Sequence, residues 1–346
     1  MPIWFPFPII ASFVLTALFV PAVIAVAKRF GILDKPTGGR KIHTLPTPLM
    51  GGLALFLGFL IPVIVVLLAS NHLTSGQIGL RHYFGFALAG TVLMVGGILD
   101  DKFNLSPKKS IWFPVLAALI ASLAGIGVSK ITNPFGGAIF VMPIVSGVMT
   151  FVWLLVMSYA TKLLDGVDGL AASVGTTASL AITALALSKM YFQPDVALLS
   201  MMFAASLLGF LLWNFPRARI FLGEGGSTFL GFTLGTLAII SGSKMITLLL
   251  VLGIPCLDII HVAYRRYSEG RSITSGDRYH FHHLLFDAGL SERQVVAVYA
   301  LFTIPFGSAT LFFSHAYKLF ILLGLSILFL VVASFLYHKH NVVIPT

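Results

Sequence analysis

The chain has 346 residues, of which 58% are hydrophobic and only 10% are charged. Soluble domains carry roughly a quarter charged residues, so this composition excludes an ordinary soluble protein and indicates an integral membrane protein. A net charge of +10 would suit a nucleic-acid partner. Basic loops on the cytoplasmic side of a membrane explain the charge better, and we expect no nucleic acid to bind.

The apolar runs are long and lack the alternation of barrel strands, which predicts an all-α fold of membrane-spanning helices. A window of about 20 residues predicts about eleven spans in a single polytopic membrane domain over residues 1–346. The spans cover roughly residues 3–27, 50–70, 83–99, 111–127, 137–157, 169–188, 196–214, 228–242, 245–263, 295–314 and 317–337.

The charged residues predict the orientation of these spans. With the N-terminus outside, most of the 22 Lys and Arg residues fall on inside segments, as the positive-inside rule requires. All of the 12 Asp and Glu residues except Asp195 then lie on or near the same face. We therefore predict a cytoplasmic C-terminus and an active site built from cytoplasmic loops. These loops are about 28–49, 100–110, 158–168, 214–227 and 264–294.

The first two inside loops carry cations and a pair of acids. The first contains Lys41 among turn-forming residues, which suits either a phosphate-rich ligand or a positive-inside anchor. The second begins with Asp100 and Asp101 and continues to Lys108 and Lys109. Adjacent acids at the mouth of a membrane span are costly unless a cation meets them. They predict a base or a metal ligand, or else a charge cluster that pairs with the lysines.

The third and fourth inside loops are turns that each open a helix. Asp165 and Asp168 are each followed by glycine, which predicts either a tight turn whose helix amides can face an anion or an ordinary interhelical turn. The fourth loop runs from Asn214 to a glycine-rich stretch with Gly223 and Glu224. Glycine lets a backbone approach a phosphate, although a glycine-rich loop alone is a weak indication.

The fifth inside loop combines basic residues with histidines. Arg278 precedes His280, His282 and His283. Histidines serve as metal ligands, as hydrogen-bond donors to phosphate or as acid–base groups. Two alternatives stay open, namely a zinc site, for which no cysteine is near, and a solvated basic loop in which the histidines have no special role.

Together these five loops resemble, in order and on one membrane face, those of the polyprenyl-phosphate N-acetylhexosamine-1-phosphate transferase superfamily, over about residues 31–290. The resemblance implies transfer of a sugar-1-phosphate from a UDP-HexNAc to a polyprenyl phosphate, such as undecaprenyl phosphate, in the cytoplasmic membrane. UMP is released, and the family uses Mg²⁺. The histidine motif at 280–283 resembles the branch that uses UDP-GlcNAc more than the branch that transfers phospho-MurNAc-pentapeptide in peptidoglycan synthesis.

The resemblance also implies roles for individual residues. Asp100 and Asp101 match paired aspartates beside the lipid phosphate, and Asp165 and Asp168 match a loop that contacts the nucleotide and supports the metal. Asn214 and Phe221 resemble positions that bind the uridine, Phe221 by stacking on the base. The predicted catalytic residues are Asp100, Asp101, Asp165, Asp168, His280, His282 and His283. The predicted substrate-binding residues are Lys41, Lys108, Lys109, Lys162, Asn214, Phe221, Gly223 and Arg278.

Two positions depart from the family pattern. Lys162 stands where the family usually has asparagine, and Glu224 stands where it usually has aspartate, and both positions are implicated in holding Mg²⁺. Glutamate can still bind the ion, but lysine cannot. In one hypothesis Lys162 supplies part of the charge that Mg²⁺ supplies elsewhere, with Glu224 as its partner. In the other, Mg²⁺ still binds through Glu224 and the substrate pyrophosphate, with Asp165 as a second metal candidate.

Two further classes of function stay open at this point. A cation- or proton-coupled transporter would place acids near mid-membrane, and the sequence shows none there. A catalytically silent membrane scaffold would explain the changes at Lys162 and Glu224. We expect the bilayer and the two substrates as partners, and the sequence leaves open whether two copies form a homodimer.

Overall fold

The structure is a computed structural model that describes residues 5–36, 45–76, 78–128, 130–132, 137–189, 191–242, 245–268, 270, 280–313 and 315–343. It is mostly helical. The helices are α1 (Pro6–Phe30), α2 (Gly51–Ala69), α3 (Leu80–Phe103), α4 (Pro107–Ser110), α5 (Trp112–Leu123), α6 (Pro143–Leu164), α7 (Leu170–Leu187), α8 (Pro194–Asn214), α9 (Gly223–Ile240), α10 (Met245–Val251), α11 (Gly253–Ser268), α12 (Phe281–Asp287), α13 (Glu292–Phe312) and α14 (His315–Val343).

Two short antiparallel hairpins correct the all-α prediction. Strands β1 (Leu33–Asp34) and β2 (Thr47–Pro48) pair between α1 and α2. Strands β3 (Lys130–Thr132) and β4 (Ala138–Phe140) pair between α5 and α6. The predicted span 137–157 therefore begins too early, because its first residues form a strand and the helix begins at Pro143, a residue suited to the first helical position.

Helices occupy all eleven predicted positions, but they do not all suit a separate span. In the described part of the chain, eight helices are long and apolar enough to cross a membrane, or nine if α10 and α11, bent by 76°, count as one. Helix α5 has only 12 residues, whereas a span needs about 20. Helix α9 is not among the eight, because glycine, serine and threonine dilute its apolar residues.

Helix α9 lies at the centre of the bundle. Its residues from Gly223 to Ile239 are all buried except Glu224. It packs mainly against α6, α3 and α2, and also against α7 and α8. Large aromatic side chains fill the space around its middle, where the Phe229 ring lies 5.2 Å from that of Phe56, and the rings of Phe86 and Phe232 stack at 5.6 Å. A helix that begins with an acid and several small or hydroxyl residues is thus enclosed by the others.

Glycines bring the backbone of α9 into direct contact with three neighbouring helices. A Cβ atom on Gly52 of α2 would lie 2.1 Å from Gly226 Cα, and one on Gly97 of α3 would lie 2.1 Å from the Gly225 nitrogen. A Cβ atom on Gly231 of α9 would lie 2.0 Å from the Met157 carbonyl oxygen of α6. Small residues at helix crossings permit such close packing in membranes.

We expect Gly231→Ala to destabilise the fold by about 1–3 kcal/mol, because the added methyl group would overlap the α6 backbone. The matched control is Gly324→Ala on α14, where a Cβ atom meets nothing within 4 Å. Alanine is the better helix former, so the control should be neutral or stabilising by up to about 1 kcal/mol. Thermal unfolding of the purified variants in detergent measures both changes in stability. Equal changes in the two variants would contradict the packing argument.

Candidate active site

Several segments of the chain meet at one cavity of about 600 Å³. Its walls come from the ends of α3 and α6, the turn before α7, the start of α9 and the starts of α12 and α13. The predicted site residues in its lining are Asp100, Asp101, Lys162, Asp165, Asp168, Asn214, Phe221, Gly223, Glu224, His280, His282 and His283. The structure thus brings these side chains together, while the chemical role of each stays a prediction.

The two adjacent acids at the end of α3 make different contacts. Asp101 Oδ1 accepts a hydrogen bond from the backbone N–H of Glu224 at 3.1 Å, so this carboxylate faces the start of α9. Asp100 Oδ1 accepts the N–H of Leu105 at 2.8 Å and closes the turn that follows Asn104, a residue with φ 47°. Asp101 is therefore joined to the wall of the cavity, whereas Asp100 also stabilises a local turn.

Gly223 allows Asp101 to approach α9 this closely. This first residue of the helix has φ 73°, a conformation that favours glycine. A Cβ atom there would lie 2.3 Å from Asp101 Oδ2. The glycine predicted to bind substrate therefore also has a structural task, since any side chain would displace the neighbouring acid.

The buried amide of Asn214 joins the third and fourth loops. Its Oδ1 atom accepts the N–H of Gly169 at 3.1 Å, and its Nδ2 atom donates to the Ile220 carbonyl at 2.8 Å. Beside it, Asp168 Oδ2 accepts the N–H of Ala218 at 2.7 Å. Both polar ends of Asn214 are engaged with backbone, so this side chain joins the two loops, while its role in binding substrate stays a prediction.

Asp165 follows α6 and lies among other acids. Its side chain lines the cavity, and the surrounding protein shields most of that side chain from solvent. Burial raises the pKa of Asp165 well above its usual range, and the nearby charges of Asp101, Glu224 and Asp168 raise it further. A raised pKa suits Asp165 to hold or accept a proton near neutral pH.

Lys162 and Glu224 form an ion pair across the cavity wall. The Lys162 ammonium lies 2.5 Å from Glu224 Oε1, and the Tyr159 ring lies 5.5 Å from the same ammonium. Burial raises the pKa of Glu224, and Lys162 opposes that rise. These side chains come from α6 and α9, which the hydrogen bond from Thr161 Oγ1 to the Ser227 carbonyl at 2.7 Å ties together.

The histidines lie at the start of α12. His280 Nδ1 lies 2.9 Å from Asp258 Oδ2, and Asp258 Oδ1 accepts the N–H of Phe281 at 2.9 Å. An acid on Nδ1 favours the tautomer whose Nε2 can accept a proton. His282 is buried, and burial followed by the neighbouring His283 and His280 lowers its pKa well below the usual range, so it is neutral at physiological pH.

Sequence reasoning missed Asp258, which holds His280 from outside the cavity lining, and several residues that line the cavity. Asp258 is a buried acid on α11 that holds His280, and a carboxylate inside an apolar segment is the signal that could have indicated it. Asp34, Asn104 and Glu292 line the cavity. Glu292 follows Ser291, which forms a capping box with Gln294. This short sequence pattern indicates that Glu292 begins a helix.

Four predicted substrate-binding residues are not placed in the cavity. Lys108 and Lys109 lie on α4, where they are exposed and outside the lining. Lys41 and Arg278 fall outside the described residues, which leave out 37–44 and 271–279. The role of all four therefore stays a prediction.

One of the two predicted magnesium ligands, Glu224, is already engaged with a cation. A magnesium ion needs oxygen ligands, usually one or two carboxylates with substrate phosphates. Glu224 Oε1 is already bonded to the Lys162 ammonium, which has three N–H donors and no lone pair for a metal. Among the residues that the structure describes, no three His, Cys, Asp or Glu side chains form a metal-binding group. Asp165 also lines the cavity, and its role as a metal ligand stays a prediction.

Comparisons with known proteins agree with the resemblance seen in the loops. The model of the family described as glycosyl transferase family 4 matches residues 83–242. A Bacillus subtilis protein named probable undecaprenyl-phosphate N-acetylglucosaminyl 1-phosphate transferase is 32% identical, over 84% of this chain and 79% of its own. The Mycolicibacterium smegmatis decaprenyl-phosphate N-acetylglucosaminephosphotransferase is 31% identical, over 90% and 83%.

A third relative comes from Escherichia coli K12. It is named undecaprenyl-phosphate alpha-N-acetylglucosaminyl 1-phosphate transferase and is 28% identical, over 85% of this chain and 79% of its own. The similarity covers most of each chain. The chain therefore belongs to glycosyl transferase family 4, in the branch whose members are named as polyprenyl-phosphate N-acetylglucosamine-1-phosphate transferases.

Proposed function

We propose that the chain transfers HexNAc-1-phosphate, most simply GlcNAc-1-phosphate, from a UDP-sugar to a polyprenyl phosphate. The products are a polyprenyl-pyrophosphate-sugar and UMP, and the reaction is the first membrane step in making a cell-surface glycan. The convergence of the paired acids, the Asp-Gly turn, the glycine-rich loop and the histidines at one cavity carries the proposal. The names of the relatives favour GlcNAc over the phospho-MurNAc-pentapeptide alternative.

The protein crosses the cytoplasmic membrane several times, and its cavity faces the cytoplasm. The excess of Lys and Arg on the segments that lead to the cavity supports this orientation, with the N-terminus outside. The nucleotide sugar then reaches the site from the cytoplasm. The polyprenyl tail stays among the apolar helices while its phosphate enters the cavity.

The reaction is a single displacement at phosphorus. An oxygen of the lipid phosphate attacks the β-phosphorus of the UDP-sugar, the bond to the bridging oxygen breaks, and UMP leaves with that oxygen. Phosphoryl transfer of this kind depends on positioning and on stabilising the developing charge. Asp101 and Asp165 position the lipid phosphate and hold its proton, Phe221 stacks on the uracil, and His280 presents Nε2 to the phosphates.

The purified chain, given UDP-GlcNAc and undecaprenyl phosphate in detergent, is expected to release UMP. Chromatography of the nucleotides measures UMP, and omission of the lipid phosphate is the control. UDP-GalNAc and UDP-MurNAc-pentapeptide, offered separately, identify the preferred donor. Failure to bind any UDP-sugar would instead support a silent scaffold, and solute flux without UMP would support a transporter.

Asp165→Asn is expected to reduce UMP release by about 100-fold or more, because the amide cannot accept a proton. The variant should nevertheless be at least as stable as the wild type above neutral pH. A raised pKa in the folded state means that the ionised carboxylate costs free energy of folding, and this cost disappears below the unfolded pKa of about 3.9.

Thermal unfolding across the pH range tests the second half of this prediction. The advantage of Asp165→Asn should be largest at about pH 8 and should shrink toward about pH 3, where the wild-type carboxyl is protonated in both states. Asp101→Asn serves as the companion variant and should also lose nearly all transfer. Near-normal rates in both variants would overturn the assignment of the acids.

Asp258→Asn is expected to reduce UMP release by about 100-fold or more, because an amide at this position favours the wrong tautomer of His280. Asparagine keeps an oxygen that can accept the N–H of Phe281, so this substitution acts through the contact with His280. The double variant with His280→Ala should therefore lie within about threefold of His280→Ala alone. Full additivity of the two losses would contradict this positioning role. Initial rates of UMP release measure all three variants.

A further inference from the structure

The two residues that depart from the family pattern contact each other. Lys162 comes from the last turn of α6 and Glu224 from the first turn of α9, 62 positions later in the chain. Their ammonium and carboxylate groups lie 2.5 Å apart. A cation and a longer acid thus stand together where the family pattern has a neutral amide and a shorter acid. The two changes form one structural unit.

The surrounding contacts hold this ammonium in place. Glu224 is fixed from the other side, because its backbone N–H donates to Asp101 Oδ1. Tyr159, one turn before Lys162, places its ring 5.5 Å from the ammonium, within the range of a cation–π interaction. The hydrogen bond between Thr161 and the Ser227 carbonyl joins the two helices next to the pair. Lys162 is therefore held in a defined position, unlike a mobile lysine on the protein surface.

The position of the ammonium matches a need of the proposed reaction. Lys162 lines the same cavity as Asp101, Asp165 and Asp168, where a substrate pyrophosphate would add more negative charge. Its side chain keeps 31% of its surface exposed and that of Glu224 keeps 19%, so the ammonium can reach a phosphate without leaving its partner. A divalent ion bound at Glu224 would meet the lysine charge at short range, and like charges repel.

We infer that the Lys162 ammonium, held by Glu224, is the resident cation of this site and stabilises the pyrophosphate during transfer, so that the reaction requires no divalent metal. The inference rests on the proposed function. It adds that this chain uses a built-in charge at a place where its family pattern points to Mg²⁺. Lysine is a point charge that binds phosphate well, and electrostatic stabilisation by such a group suits phosphoryl transfer.

The first test uses the wild-type chain with UDP-GlcNAc and undecaprenyl phosphate. UMP release in excess EDTA is expected to stay within about twofold of the rate with MgCl₂. In parallel, Mn²⁺ alone is titrated into the protein without substrate, and the paramagnetic resonance signal of free Mn²⁺ should stay unchanged. Abolished UMP release in EDTA, or tight binding of Mn²⁺, would overturn the inference.

The second test restores the family pattern at both positions. The double variant Lys162→Asn with Glu224→Asp should bind Mn²⁺ and should release UMP only with a divalent ion. The single variant Lys162→Met should lose about 100-fold in UMP release in EDTA, as when one charge-stabilising group is removed. Lys189→Asn, which removes an exposed lysine at the far end of α7, is the control and should behave as the wild type.

The outcomes separate this inference from the proposed function. UMP release that needs a metal in the wild type would overturn the inference and leave the function standing. No UMP release by the wild type, with or without metal, would overturn both. A double variant that folds, as judged by thermal unfolding, but binds no Mn²⁺ would show that Lys162 is not what excludes the ion, and would also count against the inference.

Discussion

The direct backbone contact of α9 with α2, α3 and α6 is the constraint on which the site depends. Gly225 and Gly226 meet Gly97 and Gly52 with no side chain between the helices. Only at this separation can Asp101 accept a hydrogen bond from the α9 backbone. A methyl group at any of these crossings would separate the helices by more than a hydrogen bond can tolerate. The acids can therefore be aligned only if these helices pack this closely.

A second consequence of this packing is electrostatic. Asp101, Asp165, Asp168 and Glu224 share one cavity, where charged groups interact more strongly than in water. Backbone donors offset part of this cost, since the N–H groups of Glu224 and Ala218 reach two of the acids. A bound pyrophosphate would add charge that amides alone balance poorly. The cavity therefore needs a cation at its wall, whether a metal or a side chain supplies it.

Much of this site could be predicted because charged residues are rare in the chain. In an apolar sequence each Asp or His stands out, and loops rich in such residues on one face had to lie near one another. Asp258 was missed because its partner His280 is 22 positions away and belongs to a different helix. Such a contact depends on how α11 and α12 pack. The backbone partners of Asn214, Gly169 and Ile220, could not be read from the sequence either.

The membrane topology was harder to predict for a related reason. Hydropathy reports composition over a window, but it does not report where a helix stops. The segment 111–127 is apolar throughout, yet α5 ends at Leu123 after three turns. Conversely, α9 is the most enclosed helix although its glycines and hydroxyl residues lower its hydropathy. A central helix can be polar because its neighbours, rather than lipid, surround it.

The two walls of the cavity are built in different ways, and this bears on how each can fail. Glycine contacts and the Thr161 hydrogen bond set the wall that carries Asp101, Lys162 and Glu224. The histidine wall stands on α12, a helix of seven residues that is too short to be stable by itself. Asp258 ties its first turn through two hydrogen bonds, one to the backbone and one to His280. A single carboxylate thus sets both the position of this helix and the tautomer of His280. The wall that carries Asp101, Lys162 and Glu224 is instead positioned by contacts among three helices.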